Sequence, residues 1–214
     1  ISANTNDFTA NSMAAANQST HTPSKTYAVF NPLANADQAL PATFTLSEGN
    51  QKIAISNSNT SVKMTLPFVM SGSNIIRALF TFDSVGQIGV GITGSSHTAG
   101  TYHTSATSVA GRGEVALFTN AGVLGLVIDG NFNNPAFGGS DGLSNGDIVD
   151  VFVNCDVGAV YFAVNGTIKG GASQSDIQNG VTTNAAQAGG SFVRRTAGEV
   201  FNFYIMQVNP SAGT

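Results

Sequence analysis

Short runs of alternating apolar and polar residues recur along most of this chain, and turn residues separate them. From Tyr27 onward the alternation has a period of two residues, as in a half-buried β-strand. No window of ten or more residues has the 3.6-residue period of an amphipathic helix. Many short strands separated by turns predict an all-β fold, built as a two-sheet antiparallel β-sandwich. The predicted strands are Thr43–Leu46, Gln51–Ser56, Ser61–Leu66, Ile75–Asp83, Gln87–Thr93, Glu114–Thr119, Val123–Ile128, Ile148–Asn154, Ala159–Val164 and Glu199–Val208.

Within these strands the apolar positions predict which residues face the core. Val62, Met64 and Leu66 alternate in one strand, and Ile76, Ala78, Phe80 and Phe82 alternate in another. Glycines 89 and 91 occupy the opposite phase of the strand that carries Ile88, Val90 and Ile92. Glycine in a strand often marks a close approach of another chain segment. We therefore expect a further layer to pass over those two glycines.

Residues 1–24 differ from the rest, because they hold few large apolar residues and sustain neither period. We interpret them as an N-terminal arm or linker that orders against a partner, with an unstructured tail as the alternative. Residues 25–214 then form one sandwich domain. Three long loops are predicted, at Gly94–Gly113, Gly130–Gly146 and Lys169–Gly190, and loops of such length are usually functional or mobile.

Composition excludes several classes of protein. Only 9% of the residues are charged and the net charge is −4, so the clustered cations of a nucleic-acid-binding surface are missing. No apolar run is long enough for a transmembrane helix. Cys155 is the only cysteine, which rules out an internal disulfide and predicts a small buried thiol. The chain begins at Ile1, so we expect a fragment or a processed product.

The segment Gly146–Gly166 carries a resemblance to a known family. It reads as Gly-Asp, an apolar strand, the turn Asp156–Gly158, a second apolar strand with Phe162, and Asn165-Gly166. This order resembles the central hairpin of SPRY domains. The segments Phe30–Leu33, Phe44–Asn50, Ile88–Ile92 and Glu199–Phe203 are similar to other strands of SPRY-like modules in bacteriophage virion and tail proteins.

The resemblance covers about residues 27–208 and implies a bent two-sheet sandwich related to concanavalin-like jelly rolls. SPRY domains usually bind proteins or peptides through loops at one end of the sandwich. The chain departs from the family in having no Trp, although the strand at Ile75–Asp83 often carries one. That departure removes an aromatic residue commonly used in packing or binding.

The residues offer little support for catalysis. Retaining glycoside hydrolysis needs two carboxylates about 5–5.5 Å apart, and none of Glu48, Glu114 and Glu199 has another carboxylate within four residues. His97 and His103 lie in a Ser/Thr-rich loop, and there is no Gly-x-Ser-x-Gly elbow. We therefore expect no catalytic residues and no enzyme activity, with a glycan-active enzyme as the third alternative.

Two oxygen-rich segments offer weak metal candidates, Asp129 in one and Asp141 and Asp147 in the other. Calcium prefers such oxygen ligands, but neither segment has the complete calcium-loop pattern, and Asx-Gly turns explain both. No cofactor is expected beyond this low-ranking calcium option. The candidate ligand-binding residues are aromatic, histidine and amide side chains of the loops: Tyr102, His103, Asn131, Phe132, Asn133 and Phe137.

These observations and the resemblance lead to one main expectation of function. The chain would be a non-enzymatic bacteriophage virion module, on a tail fibre, a tail tip or the head surface, that binds a host receptor through its loops. The receptor would be a protein or a glycan. The alternative is a structural decoration protein of capsid or tail, docked by residues 1–24. Other virion proteins, and further copies of the chain in a homo-oligomer, are the expected partners.

Overall fold

The computed structural model describes residues 29–30, 44–55, 60–94, 114–120, 122–128, 131–133, 142–181, 187–188, 191–192 and 198–207. Nearly all of its regular structure is antiparallel β-strand, with one short helix, α1. None of its helical residues form a span long and apolar enough to cross a membrane. The elements are β1 (Phe44–Ser47), β2 (Lys52–Ile55), β3 (Thr60–Val69), β4 (Ile75–Thr81), β5 (Ile88–Gly94), β6 (Val115–Asn120), β7 (Val123–Ile128), β8 (Asn131–Asn133), β9 (Ile148–Asn154), β10 (Ala159–Val164), β11 (Thr167–Ile168), α1 (Gln174–Asn179), β12 (Gln187–Ala188), β13 (Ser191–Phe192) and β14 (Val200–Gln207).

Two sheets form the sandwich. The large sheet has six strands in the order β3-β14-β5-β6-β7-β8, and the small sheet has four in the order β11-β10-β9-β4. The hairpins β1-β2 and β12-β13 are separate two-stranded sheets. The predicted all-β antiparallel sandwich is therefore confirmed.

The main core lies between the two sheets. Alternate residues of each strand supply it, as the two-residue period requires. From β14 these are Phe201, Phe203 and Ile205, and from β9 they include Val149 and Val151, all of which are buried. Cys155 is also buried in this core, as predicted, and burial raises the pKa of its thiol.

The hairpin β9-β10 forms the centre of the small sheet. Its strands pair without a register shift from Val149↔Val164 to Asn154↔Ala159. Asn165 has φ 50° and Gly166 has φ 76°, so this pair forms the left-handed turn expected of Asn-Gly. The Asn165 side chain completes the turn, because its Oδ1 accepts from the Ile148 N–H at 2.9 Å and its Nδ2 donates to Asp147 at 2.7 Å.

Three predictions about local structure are wrong. Leu66 does not face the core but is exposed, because a register shift between β3 and β14 interrupts the alternation there, and Phe68 and Met70 are buried in the core again. Asn131–Asn133 do not belong to a loop but form β8, which pairs with β7. The predicted loop Lys169–Gly190 contains α1, a helix too short to show a helical period in the sequence.

The outer face of the large sheet is buried instead of solvated. Ala116, Phe118, Val127, Tyr204 and Met206 form a second apolar cluster there. Gly89 lies within it, where an added Cβ would be 3.1 Å from Met206 and 3.3 Å from Phe118. The closest neighbours at both glycines are backbone atoms of the adjacent strand β6, the Leu117 carbonyl oxygen at Gly89 (2.9 Å) and the Val115 carbonyl oxygen at Gly91. The further layer over these glycines stays a prediction.

Candidate functional site

Helix α1 closes one end of the outer face of the small sheet. It begins at the N-cap Ser173, whose Oγ accepts from the Asp176 N–H at 3.1 Å while Asp176 accepts from the Ser173 N–H at 2.7 Å. This reciprocal capping box satisfies two backbone donors that a helix start leaves unpaired. The helix ends at Gly180, which has a left-handed conformation with φ 65°. Local chemistry thus sets both ends of a helix only six residues long.

Side chains of β9 and β10 attach α1 to the sheet. Asn154 Nδ2 donates to the Ile177 carbonyl at 2.8 Å, and Ile177 packs on Ala159 and Tyr161. The Tyr161 hydroxyl donates to the Val181 carbonyl at 3.1 Å. Burial, with a contribution from the charge of Asp176, raises the pKa of Tyr161 to about 12. Tyr161 therefore stays a neutral donor across the physiological range.

A groove remains on the uncovered part of this face, between α1 and the edge strand β4. We call it the α1 groove, and its volume is about 320 Å³. That volume is at the lower end of the range for small-ligand sites, about 300–1,000 Å³. Its lining combines apolar, amide and charged side chains: Ile75, Arg77, Asp150, Phe152, Ala163, Gly166, Ile168, Gln174, Ile177 and Gln178.

Arg77 is held in one position at the floor of the α1 groove. Its Nε and Nη2 donate to Asp150 Oδ1 at 2.7 and 2.6 Å, and its guanidinium lies over the Phe152 ring, 5.4 Å from the centroid. The Asp150 side chain is only 6% exposed, whereas the Arg77 side chain is 55% exposed. A buried carboxylate thus orients a guanidinium that still faces solvent, and such charge-assisted bonds are strong.

A second depression lies at the side of the sandwich, between β2 and the C-terminal half of β4. We call it the lateral cleft, and its volume is about 670 Å³. Lys52 on β2 reaches across to Asp83, just beyond β4, with Nζ and Oδ2 2.5 Å apart. The cleft lining combines polar and apolar side chains, and its apolar part includes Phe30, Ile53, Met64, Leu79, Phe80 and Ile205.

The two buried carboxylates of the described residues, Glu114 and Asp150, do not form a glycosidase pair. Glu114 is fully buried and accepts a hydrogen bond from Tyr204 on the outer face of the large sheet. Asp150, the other buried carboxylate among the described residues, lies on the outer face of the small sheet. Packed sheets are about 10 Å apart, so these two groups lie further apart than the ~6.5–9.5 Å of an inverting pair.

Of the metal candidates, only Asp147 lies within the described residues. One of its oxygens accepts from the Ser144 N–H and the other from the Asn165 side chain, each at 2.7 Å. Asp147 thus connects the two ends of the β9-β10 hairpin, and the Asx-turn interpretation accounts for it. No cluster of three metal-ligating side chains occurs in the described part of the chain.

The predicted ligand-binding residues fall mainly outside the described ranges. Tyr102, His103 and Phe137 lie outside them, as do Asp129 and Asp141. Asn131–Asn133 are described as backbone only, in the edge strand β8. Their role in binding stays a prediction.

Sequence reasoning missed Arg77 and Asp150, although a signal was present. Each is the one charged residue within an apolar strand of the small sheet, β4 or β9. Both positions have the outward phase of the alternation, and β4 pairs with β9 so that Arg77 lies opposite Phe152 and Leu79 opposite Asp150. An opposite-charge pair in two such strands indicates that the strands are neighbours.

Comparison with known proteins supports the fold. The crystal structure of a TRIM65 PSpry domain matches this chain with a TM-score of 0.55 and 10% sequence identity, over 85% of this chain and 85% of that one. The chain has a SPRY-like fold. No family model and no curated protein matches the sequence. The SPRY resemblance is thus confirmed for the fold, while the bacteriophage setting stays a prediction.

Proposed function

We propose that this SPRY-like chain is a non-enzymatic recognition module that binds a surface glycan in the α1 groove. The single observation that carries the proposal is Arg77, which Asp150 and Phe152 hold in place while its guanidinium remains half-exposed. A guanidinium has five N–H donors, and Asp150 takes up two of them. The other donors are available to a ligand without a further cost of ordering the side chain.

The groove lining fits the chemistry of a sugar ring. Gln174 and Gln178 add amide groups that both donate and accept, which matches hydroxyl groups. Ile75 and Ile168 add apolar surface for the C–H face of the ring. This combination differs from the loop aromatics expected from the sequence, and the recognition surface we propose lies on the small sheet instead.

The setting we propose is the surface of a virion, as the bacteriophage-like segments of the sequence suggested. The low charge of the chain fits a receptor-binding module on such a particle. The decoration alternative depends on residues 1–24, which lie outside the described ranges, and it stays a prediction.

A glycan array probed with the full chain tests the ligand class. We expect Arg77→Lys to lower the affinity for a retained glycan at least 10-fold, since a hydrogen bond to a charged group is worth roughly 1.5–3 kcal/mol. Gln178→Ala should lower it by up to about 10-fold, since a neutral hydrogen bond is worth roughly 0.5–1.5 kcal/mol. Arg77→Lys keeps the positive charge beside Asp150 but loses the planar fork. Leu66→Ala, an exposed apolar change on the large sheet, is the matched control and should bind normally.

Two results would contradict the proposal. One is a wild-type chain that retains no glycan on the array. The other is a pair of groove variants that bind as tightly as the control while their melting temperatures are unchanged. The virion setting is tested separately, because deletion of the module from a particle that carries it should reduce adsorption to the host.

A further inference from the structure

Alternate residues of β4 form backbone hydrogen bonds to β9, and this parity shows which backbone groups of β4 face away from β9. The Cys155 N–H donates to the Asn74 carbonyl at 2.9 Å, and the Phe82 N–H donates to the Asp147 carbonyl at 3.0 Å. Bonded and non-bonded residue pairs alternate along an antiparallel ladder, so the even-numbered residues of β4 bond to β9. The backbone groups directed to the opposite edge belong to the odd-numbered residues: Ile75, Arg77, Leu79 and Thr81.

This outer edge of β4 is open within the described part of the chain. β4 ends the small sheet, and β9 is the only described strand that pairs with it. The edge is also unusually suited to pairing, because it has no proline and no register shift along its seven residues. Leu79 is 53% exposed and Ile75 is 42% exposed on the same strand.

Natural proteins usually protect such an edge with charge, proline or a bulge. The one charge on β4 is Arg77, and its guanidinium is bound by Asp150 over Phe152 instead of projecting along the edge. The charge that would normally prevent the addition of a strand is therefore already paired with Asp150 of the same sheet. An edge left open in this way is a site for another strand.

The lateral cleft lies beside the C-terminal half of this edge. Leu79 and Thr81 line it on one side, and Lys52 and Ile53 of the hairpin β1-β2 line it on the other. Gln207 also lines it, and Gln207 Oε1 is buried without a hydrogen-bond partner. A guest in this position would find apolar side chains among polar ones, and one acceptor that needs a donor.

We propose that the outer edge of β4 binds an extended polypeptide segment of a partner protein as an added strand. Only a polypeptide backbone repeats its donors and acceptors every two residues, at about 6.6–6.8 Å, as β4 does. Seven residues span roughly 23 Å, and alternate side chains of the guest would be apolar and enter the lateral cleft. β2 and the Lys52–Asp83 pair form a wall beside this edge of β4. This wall would obstruct a folded second copy, and we therefore expect a single strand.

Amide hydrogen exchange of the full chain, measured by NMR, tests whether the outward N–H groups of the odd-numbered β4 residues bind an added strand. The probe is a soluble peptide with seven central residues of alternating valine and threonine and lysines at both ends, used up to about 1 mM. The amides of Ile75, Arg77, Leu79 and Thr81 should exchange rapidly in the free protein and at least 10-fold more slowly with the peptide. The even-numbered amides should already be slow without it, because β9 protects them.

The matched variants are Leu79→Pro and Leu79→Ala. Proline removes the outward N–H and is tolerated on a strand edge, whereas alanine removes the same apolar side chain but keeps the N–H. We expect Leu79→Pro to bind the peptide at least 10-fold more weakly than Leu79→Ala. Gln178→Ala in the α1 groove should bind the peptide normally, which separates this proposal from the glycan site.

Three outcomes would overturn the proposal. The first is no exchange protection at the odd-numbered amides of β4 at the highest peptide concentration. The second is equal peptide affinity of the Leu79→Pro and Leu79→Ala variants. The third is a dimer of the full chain that Leu79→Pro dissociates while the peptide does not bind, since that result would assign the edge to a second copy.

Discussion

Removal of Arg77 should destabilise the protein well beyond the loss of an ordinary surface ion pair. Arg77→Leu leaves the Asp150 carboxylate buried without its cation, although the carboxylate is only 6% exposed. Loss of one partner of a buried pair costs about 3–5 kcal/mol. Because the Arg77 side chain is itself 55% exposed, we expect the lower end of that range, about 3 kcal/mol. For a domain of this size the melting temperature should fall by roughly 6–12 °C.

A double-mutant cycle measured by urea unfolding separates the free-energy cost of an unpaired buried charge from that of the lost contact. Arg77→Leu combined with Asp150→Val removes both charges, and replacing a whole buried pair by apolar residues is often nearly neutral. The double variant should therefore lie within about 1 kcal/mol of the wild type. Lys52→Ala is the control, because Lys52 and its partner Asp83 are both well exposed and such pairs contribute about 0–1 kcal/mol. The reasoning is refuted if Arg77→Leu costs no more than Lys52→Ala.

Three further predictions concern stability and reactivity. Ala78→Pro should lower the free energy of unfolding in urea by about 3 kcal/mol, because it removes a backbone hydrogen bond between β4 and β9. Leu79→Pro should lower it by under about 1 kcal/mol. Equal losses would show that the assignment of which β4 N–H groups bond to β9 is wrong. The buried Cys155 should react with iodoacetamide at pH 8 far more slowly in the folded protein than in urea, and equal rates would contradict its burial. The pKa of Tyr161 in the folded state lies above its value in the unfolded state. The stability that its neutral hydroxyl contributes is therefore fully present below pH ~10 and is lost as the pH rises towards 12. Tyr161→Phe should flatten that part of the stability curve, and an unchanged curve would show that another group is responsible.

Strand positions could be predicted well from the sequence because each depends on local alternation and local turns. The β9-β10 hairpin is the clearest case, since Asn165-Gly166 and the apolar residues on either side lie within a single short segment. β8 was missed because its three residues, Asn131–Asn133, are too few to alternate visibly. Leu66 was assigned to the wrong face because the register shift that turns it outward depends on the partner strand β14.

The candidate site was harder to predict for the same reason. Arg77 and Asp150 are 73 residues apart in the sequence, and their contact exists only because β4 pairs with β9 at the edge of the small sheet. The helix that bounds the groove begins with Ser173 and Asp176, a capping pair that was visible in the sequence. Its short length hid it, since six residues complete fewer than two turns.

The two outer faces of the sandwich differ in a way that indicates where recognition occurs. On the large sheet, an apolar cluster that includes Phe118 and Met206 is already buried within the chain. On the small sheet, α1 covers one end of the face, Arg77 and Leu79 are exposed, and among the described strands only β9 pairs with β4. A partner gains most free energy where apolar surface and unpaired donors are still exposed to water. Contacts made by this chain should therefore concentrate on β4, where a ligand in the α1 groove and a strand at the outer edge would approach the same seven residues from different directions.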